Sequence, residues 1–494
     1  MTISTAVDPN ARASIVGIDV KYQNLGLVGG FLPQRVAIVG QGSTTATYDL
    51  VRRQITSAFE AGQTYGFGSP IHLSAMQILP DNGDGVGSIP VTVYPLEDDV
   101  SGIASAGEIT PSGIQSETAA YRVSVAGMLS EAFIINAADS VAVKVTAITE
   151  AINASVNLPI VATDDITKVD IEAKWKGESG NDIIISIEGS TTAGTVFAIV
   201  QPTSGDVNPD VDGILAEMGN TWETLILNCL NKTDIVTLEK FRVFGEGRWQ
   251  PLVKKPLIVF SGDTNTTVAN AVTIPEARKT DRINSQLVAP GSVNLPFVIA
   301  SRELAKIAVI AEANPPKGYN KQIADGILAG ANGDQWTYID RDEAVKKGSS
   351  TITVEDSVIK LGDIVTFYHP TGDPFPSYSK VVAIIKLMNI IYNLDLEFES
   401  IEWADAPLIP DNQPTVNPDA RTPSAAKAEV NGILDYLGTQ AIISDPETAK
   451  KKTTAQINPT NPDRLDIVVT VQLSGNSNIK AVTINFGYFV GGAN

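Results

Sequence analysis

Short apolar runs separated by Gly, Pro, Asn and Ser dominate the first hundred residues, and their spacing assigns the elements. Residues 14–22 alternate apolar and polar side chains, the period of a strand with one buried face, and no hairpin partner lies close by in sequence. Residues 35–40 (RVAIVG) form a continuous apolar strand. Residues 47–65 carry Leu50, Val51, Ile55, Ala58 and Phe59 at helical spacing, and residues 89–94 form a second strand. Strand, helix, strand in that order predicts a βαβ unit with the helix packed on a parallel sheet.

From residue 96 the pattern changes to short β-branched runs at 120–126, 132–136, 141–145, 169–173 and 182–187, which predicts an antiparallel β domain inserted into the α/β unit. Helical spacing returns over 211–231, with Cys229 inside a predicted helix 221–230. Residues 256–261 and 295–300 read as strands. A helix over 302–313 stops at Asn314-Pro315-Pro316, because proline has no amide donor and disfavours helical geometry before it. Residues 364–368 read as another strand. Ser424 suits the N-cap of a helix running to 437, with Gly438 as its C-terminal cap. Residues 465–473 and 479–489 flank the turn-rich 474–478, which predicts a C-terminal hairpin. No repeat of roughly 20 to 50 residues stands out.

A length of 494 residues is enough for about three domains with substantial cores. Apolar residues at 43% and charged residues at 19% describe an ordered chain. A net charge of −20 repels phosphate backbones, so nucleic acid is excluded as a main partner. The single cysteine cannot close an intrachain disulfide. No basic segment followed by an apolar run opens the chain, and the most apolar later stretch, 381–394, is interrupted by Lys386, Asn389 and Asn393, so neither a signal peptide nor a membrane span is expected.

Candidate chemistry is sparse. Gly40-Gln-Gly42 follows a strand as a dinucleotide-binding turn would, but Thr45 stands where the third glycine belongs, so an ordinary turn is the better reading. Asp81-Asn-Gly-Asp-Gly85 offers oxygen ligands without the positions a calcium loop requires, since Val86 occupies the sixth place, and reads as a surface turn. His72 and His369 lie far apart with no nucleophile motif beside either, and Cys229 reads as a small buried residue. One Cys and two separated His do not supply the ligand set of a zinc cluster, and five dispersed tryptophans make no stacking platform. No catalytic, cofactor or metal residue is assigned. Carboxylates are abundant, which keeps a carboxylate-dependent hydrolase as an alternative.

Three stretches carry a family resemblance. Residues 173–187 (AKWKGESGNDIIISI) place a Gly-Asn turn before a strand. After residue 340 come 340–348, the strands 350–354 and 360–368, the apolar run 381–394 and the helix 424–437. Residues 458–471 (NPTNPDRLDIVVTV) precede a last apolar strand. Together these resemble the sheath protein of contractile phage tails, of the Mu-like branch. The resemblance implies a structural subunit that polymerises around a tail tube and contracts to drive it through the host envelope. It implies no enzymatic activity and no cofactor. Its implied partners are other copies in a helical stack of hexameric rings, the tube protein, and baseplate and tail terminator proteins. Its implied location is the virion tail, assembled in the host cytoplasm. Another phage or surface-layer structural protein remains an alternative.

The fold class expected is α/β plus β: an α/β core, subtilisin-like in fold only by the resemblance, an inserted antiparallel β domain, a C-terminal α+β domain, and extended terminal arms. The boundaries are 1–25 for the N-terminal linking arm, 26–95 and 191–400 for the core, 96–190 for the insert, 401–478 for the C-terminal domain and 479–494 for the linking strand. Strand edges lacking a local mate can be completed by a neighbouring copy. The subunit-linking candidates are therefore Ile15, Val16, Ile18, Val20 and Tyr22 at one end, and Ile467, Val469, Val471, Val482, Ile484 and Phe486 at the other. Lys450, Lys451 and Lys452, consecutive cations in an acidic chain, are the candidates for an electrostatic tube contact.

Overall fold

A computed structural model describes residues 29–356 and 358–488. The chain is mixed α/β with several sheets. Its centre is an eight-stranded sheet in the spatial order Val358–Leu361, Ser350–Glu355, Asn284–Val288, Ile258–Asp263, Leu225–Asn228, Val36–Gln41, Val91–Leu96, Arg53–Ile55. The six inner strands are parallel and the two edge strands antiparallel to their neighbours.

Val36–Gln41 is buried at every position, which explains its unbroken apolar run. Successive residues serve opposite faces: Val36, Ile38, Val91, Val93, Leu227 and Phe260 enter one core cluster, while Ala37, Val39, Tyr94, Leu96, Ile226 and Val259 enter the other. The first cluster is covered by the helices Pro70–Ile78 and Pro296–Ala313, and the second by Asp212–Met218 and Ile235–Arg248. The earliest strand lies between the second and third parallel strands in chain order, so the sheet changes winding direction beside it.

The crossover from Val91–Leu96 to Leu225–Asn228 holds the β-rich insert. One sheet runs Val196–Thr203, Ala104–Ser112, Lys168–Lys176, Ile160–Asp165, and a second joins Ile185–Gly189, Ala119–Val125, Met128–Leu129 and Phe133–Ile135. Its antiparallel pairing therefore extends to Thr203.

Several local expectations are corrected. The helix expected over 47–65 is only Ala58–Tyr65, preceded by the edge strand Arg53–Ile55. Ser57 caps it by accepting from the Glu60 amide, and Leu50 and Val51 are exposed. Residues 141–145 open the helix Val141–Ala154 instead of a strand. Ser140 caps it, and Val145, Ile148 and Ile152 bury one helical stripe. Residues 225–228, expected as helix, are a fully buried strand, and 295–300 begins the helix Pro296–Ala313 with proline at its first turn. Residues 364–368 make isolated bridges only. The helix expected from Ser424 to 437 spans Pro423–Thr439, so Gly438 lies inside it and packs against Pro446.

The chain divides into two units. The larger comprises Phe31–Tyr392 with Gln440–Ser444 and the segment beginning at Gln472; the smaller includes Asn393–Thr439 and Asp445–Val471. In the smaller, Pro423–Thr439 buries Ala426, Val430, Ile433, Leu434 and Leu437, and the strands Thr454–Ile457 and Leu465–Val468 form a hairpin.

Candidate subunit-linking site

The expected C-terminal hairpin of 465–473 with 479–489 does not form. Leu465–Val468 pairs backwards with Thr454–Ile457, in the register Thr454 to Val468 and Ile457 to Leu465. The loop between them is set by Asn458, whose side-chain oxygen accepts from the amides of Thr460 (3.0 Å) and Asn461 (3.1 Å). Ile467 thus has an intrachain mate in Ala455, while Val469 and Val471 lie outside any strand and are half-buried. Gln472–Leu473 pairs with Ile443–Ser444. The 474–478 segment is not a free turn, because Ser474, Asn476 and Asn478 are hydrogen-bonded to the body.

Residues 479–488 belong to no strand, and no backbone hydrogen bond joins them to the described residues. Ile479, Val482, Ile484, Phe486 and Tyr488 are between 80 and 90% exposed. Val482, Ile484, Phe486 and Tyr488 recur at every second position, with Thr483, Asn485 and Gly487 between them. In a strand that spacing gathers four large apolar side chains onto one face. Ten residues at about 3.3 Å each give a reach of roughly 33 Å. The hairpin Thr454–Ile457/Leu465–Val468 has no further strand on either edge among the described residues, so it offers unpaired backbone donors and acceptors. Ile15, Val16, Ile18, Val20 and Tyr22 lie outside the described residues.

The three lysines end the short helix Pro446–Lys452 and are not equivalent. Lys450 is held by Asp435 at 2.7 Å and Glu447 at 2.6 Å, and these carboxylates raise its pKa. Lys451 and Lys452 are exposed and make no ion pair with the described residues.

The residues weighed for chemistry are occupied structurally. A Cβ on Gly40 would lie 2.9 Å from that of Cys229, and one on Gly42 2.3 Å from the Tyr48 ring, so both glycines serve close packing. Cys229 lies in the core beside the Ser74 hydroxyl at 3.3 Å, and burial pushes its thiol up to about 12. His72 accepts from the Gly68 amide at 3.0 Å; burial, with a smaller contribution from Lys174, lowers its pKa to about 4. Nδ1 of His369 lies 2.7 Å from the Phe367 carbonyl. Asp84 is paired with Arg302 and, at 2.7 Å, with Lys306. No group of three His, Cys, Asp or Glu that could hold a metal occurs among the described residues.

The crevice where the parallel sheet changes direction, a common ligand position, is filled by the chain itself. Gln41 donates to the Lys176 carbonyl at 2.7 Å and to Asp98, and Asn231 donates to the Glu178 carbonyl at 3.3 Å. Trp175 is fully buried, its indole donating to Ser179 at 2.8 Å, while Asn181 both donates to the Gly205 carbonyl and accepts from its amide. Lys232 bonds Asp263, and burial raises Asp182 to about 6 despite Lys232. The sequence around Trp175 and Asn181 is therefore the joint between insert and core.

No family model matches the chain. The sheath tail protein Lin1278 from Listeria innocua has a similar fold, with a TM-score of 0.50 and 13% identity over 90% of this chain and 93% of that one. A sheath tail protein from Desulfitobacterium hafniense aligns with a TM-score of 0.47 and 13% identity, covering 92% and 100%. In sequence the chain is 24% identical over 413 residues, 81% of its length and 82% of the other's, to the Mu-like prophage FluMu tail sheath protein of Haemophilus influenzae strain Rd. The contractile-tail sheath resemblance, including its Mu-like branch, is borne out.

Proposed function

We propose that this chain is a structural subunit of a contractile tail sheath and that its C-terminal tail links it to neighbouring copies by strand addition. The observation that carries the linking role is the tail itself: four apolar side chains on alternate positions, exposed, on a backbone without a mate among the described residues. The hairpin Thr454–Ile457/Leu465–Val468 of another copy is the acceptor, because its edges offer the complementary donors and acceptors. Residues 1–25 supply a second linking arm, and 96–190 form an outward-facing insert.

On this reading the chain is not an enzyme. The two histidines and the cysteine have structural surroundings, which supports that view. The subtilisin-like description of the core is the finer reading of its parallel sheet and carries no activity with it. The subunits form stacked hexameric rings around a tail tube, in contact with baseplate and terminator proteins, in a virion tail assembled in the host cytoplasm. Lys451 and Lys452 face the tube, with Lys450 holding their helix to Asp435. No helix among the described residues is long and apolar enough to cross a membrane.

The test is a chain ending at Asn478. It should remain a soluble, folded body and form no striated hollow tubes by negative-stain microscopy under conditions where the full chain does. Tubes of normal length from the truncated chain would remove strand donation by this end.

A further inference from the structure

The root of the C-terminal tail is tied down at every second residue, and the ties stop where the apolar alternation begins. Ser474 donates its amide to the Ile442 carbonyl at 3.1 Å, Asn476 donates its side-chain amide to the Pro316 carbonyl at 2.8 Å, and Asn478 donates to Asp363 at 2.9 Å. Between these contacts stands Lys386. It occupies the helix Val381–Phe398, is 1% exposed, and donates to the Ser474 carbonyl at 2.7 Å and to the Asn476 side-chain oxygen at 3.0 Å. Burial, with Lys380 adding to it, lowers the amine to about 8, and no carboxylate among the described residues offsets the loss of water.

A lysine in the middle of an apolar helix carries a desolvation penalty that a methionine of similar length would avoid. What the amine obtains in return is two oxygens, both from the tail root. We infer that Lys386, with Asn476 and Asn478, forms an anchor that holds the tail root to the body, so that pull on the donated strand is transmitted to the core helix. The inference rests on the sheath reading for the origin of the pull, but the anchor exists in the free chain. A tail that peeled back to the pair Gln472–Leu473 would add slack to every link of a lattice. Holding the five residues 474–478 to the body removes it.

Two measurements test this. In unassembled full-length chain, Lys386→Met should raise hydrogen exchange at the Ser474 amide about tenfold or more while the melting temperature of the body holds. In assembly, the same variant should give few or no tubes. A crosslink should then restore them: a Cβ on Gly318 would lie 4.0 Å from that of Asn476, within disulfide range, so oxidised Gly318→Cys with Asn476→Cys replaces the anchor covalently. Unchanged exchange at Ser474, tubes indistinguishable from wild type, or tubes that the crosslink does not restore would each overturn the inference. The exchange measurement decides the anchor even where the wild-type chain forms no tubes, a result that counts against the sheath reading alone.

Discussion

Replacing Phe486 by alanine separates a side chain that works between molecules from one that works within its own. In the free chain Phe486 is 83% exposed, with Tyr488 as its ring neighbour at 6.3 Å. Truncating it should therefore change the stability of the unassembled chain by no more than about 0.5 kcal/mol. Once the tail lies on another copy's hairpin, the same ring moves from water to a packed face, a transfer worth roughly 1.5–3 kcal/mol. At about 1.4 kcal/mol per decade, each link weakens roughly ten- to a hundredfold. Thr483 and Asn485 occupy the opposite face of the strand, so Thr483→Ala should cost about 0.5 kcal/mol or less. The assay is the threshold concentration for tube formation, read by light scattering and sedimentation. A threshold that rises sharply for Phe486→Ala and barely for Thr483→Ala is expected. Equal shifts for the two faces, or a melting temperature of the free chain lowered by several degrees in Phe486→Ala, would refute the reasoning.

Further outcomes follow from other sites. Lys451→Ala with Lys452→Ala should weaken co-assembly with tube protein most at low ionic strength, since exposed charges are screened over about 10 Å at 0.1 M salt; a salt series showing no difference from wild type removes the electrostatic contact. Gly262→Ala would put a Cβ 1.8 Å from the Pro296 carbonyl oxygen, so the variant should lose about 3 kcal/mol or more in denaturant titration or fail to accumulate folded. His72 has a folded pKa of about 4 against 6.5 ordinarily, so the stability it contributes is complete above 6.5 and is lost as pH falls from there through about 4, on the order of 3 kcal/mol; His72→Gln should flatten that limb of the stability curve. Glu303 has the opposite sign: it is fully buried, neither side-chain oxygen has a partner among the described residues, and burial raises its pKa, so its contribution is present at low pH and declines as pH rises through the folded value. Glu303→Leu should remove that decline in unfolding measurements made from about pH 5 to about pH 9.

The parallel core was legible where burial leaves a plain mark. The runs at 36–41, 91–96 and 258–263 are apolar on both faces because helices cover both sides. The same burial hid other elements: 225–228 is too short for its period to distinguish strand from helix, and the helix Pro296–Ala313 is buried nearly all round, so it shows no stripe. Ser57 and Glu60, spaced as a capping pair, carried the signal for the true start of the helix at Ala58. At the candidate linking site, the apolar alternation of 479–488 was readable, but its lack of a mate among the described residues was not. The pairing of Leu465–Val468 depended on Asn458 folding the chain back onto Thr454–Ile457, and the fate of 474–478 depended on Lys386, distant in sequence. Side-chain period reports which face is apolar, and says nothing of which backbone supplies the other half of a ladder.

If, as proposed, the tail of one copy adds to the hairpin edge of the next, the donor-to-acceptor contact is not used up when two molecules meet, since each pair still carries one free donor and one free acceptor. Growth governed by such ends has no intrinsic stopping point. Polymer length must then be imposed by something other than this polypeptide, and a short peptide copying Ile479 to Tyr488 would act as a chain stopper by occupying the terminal edge.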